Sequence, residues 1–319
     1  MTATLGPPLG GFLVELSWRW IFFVNVPVGV LTLVASPLVL RKTAGTGAGI
    51  PDLFGALSLV LGVGALVWTL IELPVGGWST TTVEVSAGGA GCALALTIWR
   101  SLHHPSPALD LAAVRLLPMW SSCLALLLFS AAHSAMLLGG VMLLTTVWGI
   151  GPAVAGLCLA PGPVVVVLVS LTLAGRPIGK AGVGLVAAIG ALLYVVGIVI
   201  WLCTIGTVPD YFTDYFPAQL FTGAGVGLVM PSLSAVPAMA LPSPRWGAGS
   251  ALTNTARQLG MVLGTAVLTM IYQPGVDLVA VRRGWGFVAA SAGAAALVAA
   301  ILAFWWKPAT DGSATAITD

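Results

Sequence analysis

An arginine inside an apolar run is the first residue of this sequence that could do chemistry. Arg257 lies in Ser250-Ala251-Leu252-Thr253-Asn254-Thr255-Ala256-Arg257-Gln258-Leu259-Gly260, the most polar stretch within any long hydrophobic segment. A guanidinium in hydrocarbon is costly, and intramembrane ionisable groups usually face a bundle interior or a water-filled cavity. Asn254 and Arg257 are three residues apart, so a helix places them on a common face, with Gln258 next to them. Such a cluster could line a substrate cavity or gate it. Snorkelling to a nearby membrane face, merely locking the fold, is the competing use. Asn25, two residues before Pro27, needs a hydrogen-bond partner in an apolar setting and fits interhelical glue or a cavity wall. His133 has the right intrinsic pKa for proton handling, although one histidine without an evident partner serves equally well in packing. Glu15 and Glu72 stand at the outer ends of apolar segments, where a carboxylate can be simply interfacial.

Other chemistry is not encoded in any recognisable form. Cys92, Cys123, Cys158 and Cys203 each sit alone in apolar runs, with no CxxC pair and no histidine at metal-ligand spacing. There is no Walker A sequence, no HExxH and no GxSxG elbow. No metal, cofactor or enzymatic activity is expected, and a net charge of +2 gives no footprint for nucleic acid.

The elements that position these residues are apolar helices. Hydrophobic residues make up 58% of the 319 positions and charged residues 7%, too few charges to cover a water-soluble domain. Nine runs are long enough to be spans: 20–40, 53–73, 84–99, 118–145, 152–174, 183–205, 216–241, 250–271 and 285–306. Residues 2–16 form a shorter, glycine-rich apolar segment ahead of them. No charged leader precedes this start, so the spans themselves are expected to direct insertion. Alternate connections hold Arg41, Lys42, Arg100, Arg115, Arg176, Lys180, Arg245 and Lys307, whereas the opposite set holds Arg19, Arg282 and Arg283. By the positive-inside rule the first set, and the C-terminus with it, is cytoplasmic. The expectation is an all-α polytopic protein of the cell membrane, surrounded by lipid, with a small polar tail at 307–319 that is disordered.

The motifs together resemble a known family. Gly6-Pro7-Pro8-Leu9-Gly10-Gly11 resembles the end of the antiporter motif on the fifth helix of the fourteen-helix drug:proton antiporters, the EmrB- and QacA-like branch of the major facilitator superfamily. Trp18-Arg19-Trp20-Ile21-Phe22-Phe23, with Asn25, Pro27 and Gly29, is similar to the start of that family's sixth helix. Pro107-Ala108-Leu109-Asp110-Leu111 is similar to the entry to the ninth. Gly149 to Pro163 resembles the tenth, and Ser250 to Gly260 the thirteenth. The resemblance covers nearly the whole chain and implies family helices five to fourteen. Residues 1–40 would then be a remnant of the N-terminal bundle, 41–117 two extra linker helices with their loops, and 118–306 the C-terminal six-helix bundle. The loop Gly175-Arg176-Pro177-Ile178-Gly179-Lys180-Ala181-Gly182 departs from the family pattern, lacking its acid and second arginine.

What the resemblance implies is alternating access. A proton running inward would drive a small lipophilic or cationic compound out, as in drug or secondary-metabolite export. Asn25, Asn254, Arg257 and Gln258 become cavity or gating candidates, Gly6, Pro7, Gly10 and Gly11 the antiporter-motif remnant, and Glu15 the candidate for proton coupling. Helices one to four of the family have no counterpart, so the chain by itself is expected not to transport, and a transport-incompetent remnant is the main alternative. A membrane-embedded enzyme or scaffold is a further one. The sequence specifies no oligomeric interface.

Overall fold

Backbone polar groups in hydrocarbon must be paired within their own segment, which a helix achieves and an open strand cannot. A computed structural model describes residues 10–13, 17, 19–23, 25–39, 52–76, 78, 80–104, 111–172, 182–273 and 275–306, and nearly all of them are helical. After a helical stretch at Trp20–Phe23 come α1 (Asn25–Val39), α2 (Leu53–Gly76) and α3 (Thr81–His103). A turn at Leu111–Val114 leads into α4 (Leu117–Met142), which ends in a π-helical turn, Leu143–Val147. Then follow α5 (Pro152–Leu159), α6 (Pro161–Thr172) and α7 (Val183–Thr204). A second π-helical turn, Tyr211–Tyr215, opens α8 (Phe216–Ala240); α9 (Trp246–Tyr272) and α10 (Leu278–Trp305) complete the order.

Seven segments among the described residues are long and apolar enough to cross a bilayer: α2, α3, α4, α5 with α6, α7, α8 and α10. Leu33, Leu171 and Phe304 stand more than three-quarters exposed on the outside, a surface suited to lipid. The chain is an all-helical, multi-pass membrane protein.

α2 and α3 form an antiparallel pair held by polar groups at several levels. Asp52 caps α2 by accepting from the Gly55 N–H at 2.8 Å. Arg100 of α3 reaches the same carboxylate, donating from Nη2 at 2.7 Å and from Nε at 2.9 Å. The guanidinium also lies 5.6 Å from the centre of the Phe54 ring. Arg100 holds the Asp52 carboxyl below its ordinary value. Ser58 with Thr97, and Thr69 with Ser86, add hydroxyl pairs at 2.8 Å. The pair leans on α9, where Gln273 Nε2 donates to the Ile71 carbonyl at 3.4 Å.

The remaining helices pack backbone to backbone through glycine, as membrane helices do when small residues line their contacts. Gly260 and Gly264, one turn apart on α9, face the Leu127 and Ala131 carbonyls of α4 so closely that neither site has room for a side chain. Across the same contact Ser134 Oγ donates to the Met261 carbonyl at 2.8 Å. On α8, Gly225 faces α7, where a methyl group would lie 2.6 Å from the Gly190 oxygen. Gly223 and Gly227, on the other side of α8, face α6 at Gly162, Val165 and Val166. Trp201 stacks between Tyr215 at 4.8 Å and Trp285 at 5.4 Å, and its Nε1 donates to the Tyr215 carbonyl at 2.9 Å.

Seven of the nine runs are long and apolar enough to be spans among the described residues. Of the 20–40 run, the described residues form helix at Trp20–Phe23 and at Asn25–Val39. The 250–271 run is long enough, starting four residues early at Trp246, but Asn254, Arg257 and Gln258 dilute its apolar character. Finally, 285–306 extends back to Leu278, because the Asp277 side chain accepts from the Ala280 N–H at 2.7 Å and caps α10 earlier. Arg282 and Arg283 thus fall within the helix. Gly6, Pro7, Glu15, residues 175–181 of the loop and the tail 307–319 lie outside the described residues.

Candidate functional site

Two adjoining cavities, about 270 and 710 Å³, open between α4, α6, α8 and α9. They meet at His133, Leu137 and Val226, which line both. The smaller one is almost wholly apolar, with Met136, Leu159 and Val166 in its wall and Tyr215 and Gln219 as polar groups. The larger one is polar along α9, where Ser250, Thr253, Asn254 and Arg257 face it, and is bounded on α8 by Met230 and Pro231.

Arg257 Nη2 donates to Asn254 Oδ1 at 2.8 Å, and both line the larger cavity. Because α9 starts at Trp246, Arg257 sits about 16 Å along it at ~1.5 Å per residue, near mid-helix. Gln258 is on another face and lines a crevice with Val67 and Ile71 of α2. Asn25 is exposed at the start of α1 and lines none of these cavities. Gly11 approaches α5, where a methyl group on it would stand 2.5 Å from the Pro152 carbonyl oxygen; Gly10 has open space around it.

The inner wall was less legible. Prolines 161 and 163 cannot donate backbone hydrogen bonds, which frees carbonyls at the α5–α6 junction. Gln219 supplies donors there, from Nε2 to the Cys158 carbonyl at 3.1 Å and the Leu159 carbonyl at 3.3 Å. Tyr211 Oη also donates to the Cys158 carbonyl, at 2.9 Å. Tyr211, Tyr215 and Gln219 recur every fourth residue, a polar stripe that spacing alone could have revealed. The stripe begins at Asp210, which caps the π-helical turn; hydrogen bonds from Thr213 hold its carboxyl below the ordinary value. His133 Nδ1 and Tyr215 Oη are buried and have no hydrogen-bond partner among the described residues.

This chain is similar to known efflux proteins over most of its length. The multidrug resistance protein Stp of Mycobacterium tuberculosis is 30% identical over 277 residues, covering 83% of this chain and 49% of Stp. The tetracenomycin C resistance and export protein of Streptomyces glaucescens is 29% identical over 275 residues, covering 83% of this chain and 49% of its own. The multidrug export protein EmrB of Escherichia coli is 27% identical over 270 residues, covering 84% and 52% respectively. Over comparable lengths the chain also matches an MFS-type transporter of Bacillus subtilis. The chain is a relative of the MFS-type efflux transporters. It spans about half the length of the efflux proteins it matches, and no protein-family model matches it. Asn254 and Arg257 lie together on the wall of the larger cavity, with His133 at the junction of the two cavities.

Proposed function

We propose that this chain contributes substrate-binding and gating helices to a proton-coupled exporter of small lipophilic compounds, working by alternating access. The observation that carries this is the cavity between α4, α8 and α9, with the hydrogen-bonded Asn254–Arg257 pair on its wall. Arg257 near mid-helix is favoured as a cavity group over a snorkelling one, because a long side chain reaches an interface only from near a helix end. The apolar inner cavity supplies binding area, and the polar α9 face supplies orientation, the division of labour usual in ligand sites. The surplus of lysine and arginine in alternate connections of the sequence supports a cytoplasmic C-terminus. In this assignment the chain corresponds to helices five to fourteen of the fourteen-helix antiporters, with α2 and α3 as the extra pair. The drug-resistance and export names of its relatives support drug or secondary-metabolite export and a non-enzymatic role.

The experiment is dye uptake into everted membrane vesicles driven by a pH gradient, with the chain expressed alone and fused behind the N-terminal half of the Streptomyces relative. Uptake in either arm that a protonophore abolishes, and that Arg257→Gln lowers ten-fold or more, supports the proposal. Correctly inserted protein with no gradient-dependent uptake in both arms refutes it.

A further inference from the structure

The charge on the cavity wall has a sign, and the sign selects a ligand. Arg257 is the charged residue lining the larger cavity, and its hydrogen bond goes to a neutral amide, Asn254. Among the described residues it has no carboxylate partner; the ion pair they contain is Arg100 with Asp52, in the α2–α3 pair. Among the described residues, neither cavity is lined by Asp or Glu. A guanidinium kept in an intramembrane cavity without a counter-ion is costly, and a bound anion would offset that cost. A bound cation would raise it.

Two further features fit an anionic head joined to an apolar body. His133 lines both cavities at their junction, and its buried Nδ1 has no hydrogen-bond partner among the described residues. From there the smaller cavity continues as an apolar slot past Met136, Leu159 and Val166. Arginine's planar fork also matches a carboxylate in a way that a point charge does not. Among the described residues lining the two cavities the ionisable ones are Arg257, His133 and Tyr215, with Tyr194 beside His133, and none of them is a carboxylic acid.

The geometry points to a lipophilic organic anion, a carboxylate or phenolate on an aromatic or aliphatic body, as the substrate class of this cavity. Its head would lie against Arg257 and Asn254 and its body in the apolar slot. The inference rests on the proposal that the cavity binds substrate, and narrows the lipophilic or cationic range drawn from the family resemblance.

The test uses two probes with one fluorescent body and opposite heads: 1-pyrenebutyrate and 1-pyrenebutyltrimethylammonium. Binding to the 319-residue chain in uncharged-lipid nanodiscs is measured by equilibrium dialysis at pH 7.5, with empty nanodiscs subtracted. The expected result is saturable binding of the carboxylate at least ten-fold tighter than that of the ammonium. Arg257→Gln should reduce that ratio to within about two-fold of unity, and Arg257→Lys should retain a clear carboxylate preference. Equal affinity of the two heads, preference for the ammonium, or a carboxylate preference unchanged in Arg257→Gln overturns the inference while leaving the cavity a binding site. Saturable binding of neither probe overturns the inference together with the proposed site. The wild-type comparison stands on its own should a variant fail to fold.

Discussion

Replacing Gly225 by alanine sets two effects of opposite sign against each other. A helix-interior glycine exchanged for alanine ordinarily gains about 0.5–1 kcal/mol, because glycine loses more backbone freedom on folding. At Gly225 the new methyl group would lie 2.6 Å from the Gly190 carbonyl oxygen and 2.7 Å from Tyr194 Cβ, whereas ordinary contact begins at 3.4 Å. Relief needs a separation of about 0.8 Å between α7 and α8, and overpacking of this kind costs about 1–3 kcal/mol. The clash should therefore win, leaving a net loss of up to about 2.5 kcal/mol. Gly286 on α10 is the matched control, since it is exposed and a methyl group added there would meet nothing within 4 Å. Thermal unfolding in detergent, followed by near-ultraviolet circular dichroism of the tryptophans, should show Gly225→Ala melting below wild type and Gly286→Ala at or above it. Equal shifts for the two would refute the backbone-contact account of the α7–α8 interface. Tyr194 touches Phe129 at 5.0 Å and His133 at 6.4 Å between ring centres, so the same variant should also weaken probe binding in the cavity.

Other perturbations separate the remaining structural claims. Ser134→Ala removes the hydroxyl bond to the Met261 carbonyl and should cost about 0.6 kcal/mol by the same melting assay, the average for such bonds in membranes. Trp201→Ala empties the centre of the aromatic stack and should cost about 3–5 kcal/mol, while Trp201→Phe should lose far less. The Asp52 carboxyl has a folded-state pKa below its ordinary 3.8, so its stabilising effect is present above that value and lost as pH falls through the folded value. The difference in melting temperature between wild type and Arg100→Gln should accordingly hold constant from pH 5 to 8 and shrink below about pH 4, read by scanning calorimetry.

How far the sequence leads depends on whether a property is local. The long apolar runs dictated the helices, because hydrocarbon leaves the backbone no alternative to internal pairing. The i, i+3 spacing of Asn254 and Arg257 was enough to place them together. Gln258 went elsewhere because one residue turns a helix by about 100°, enough to carry it from the cavity wall to the α2 crevice. His133 could be seen but not weighed, since its importance lies in two cavities meeting there and not in its neighbours along the chain. Gln219 was hidden in the same way: what makes it necessary is a pair of prolines almost sixty residues upstream. The α10 boundary moved because one cap, Asp277, outweighed the hydropathy of the residues after it.

Contacts of carbonyl against glycine have no soft layer between them. Elsewhere in proteins, side chains at an interface can change rotamer and let one helix slide over another. Between α4 and α9, and between α7 and α8, there is little to rearrange: Gly264 rests on the Ala131 backbone and Gly225 on Gly190. To shear either pair lengthwise, a whole helix must first lift off its neighbour against many atoms at once. Each pair therefore behaves as a stiff beam, and whatever changes the width of the cavity must act by tilting one beam against the other, with the compliance concentrated at their ends.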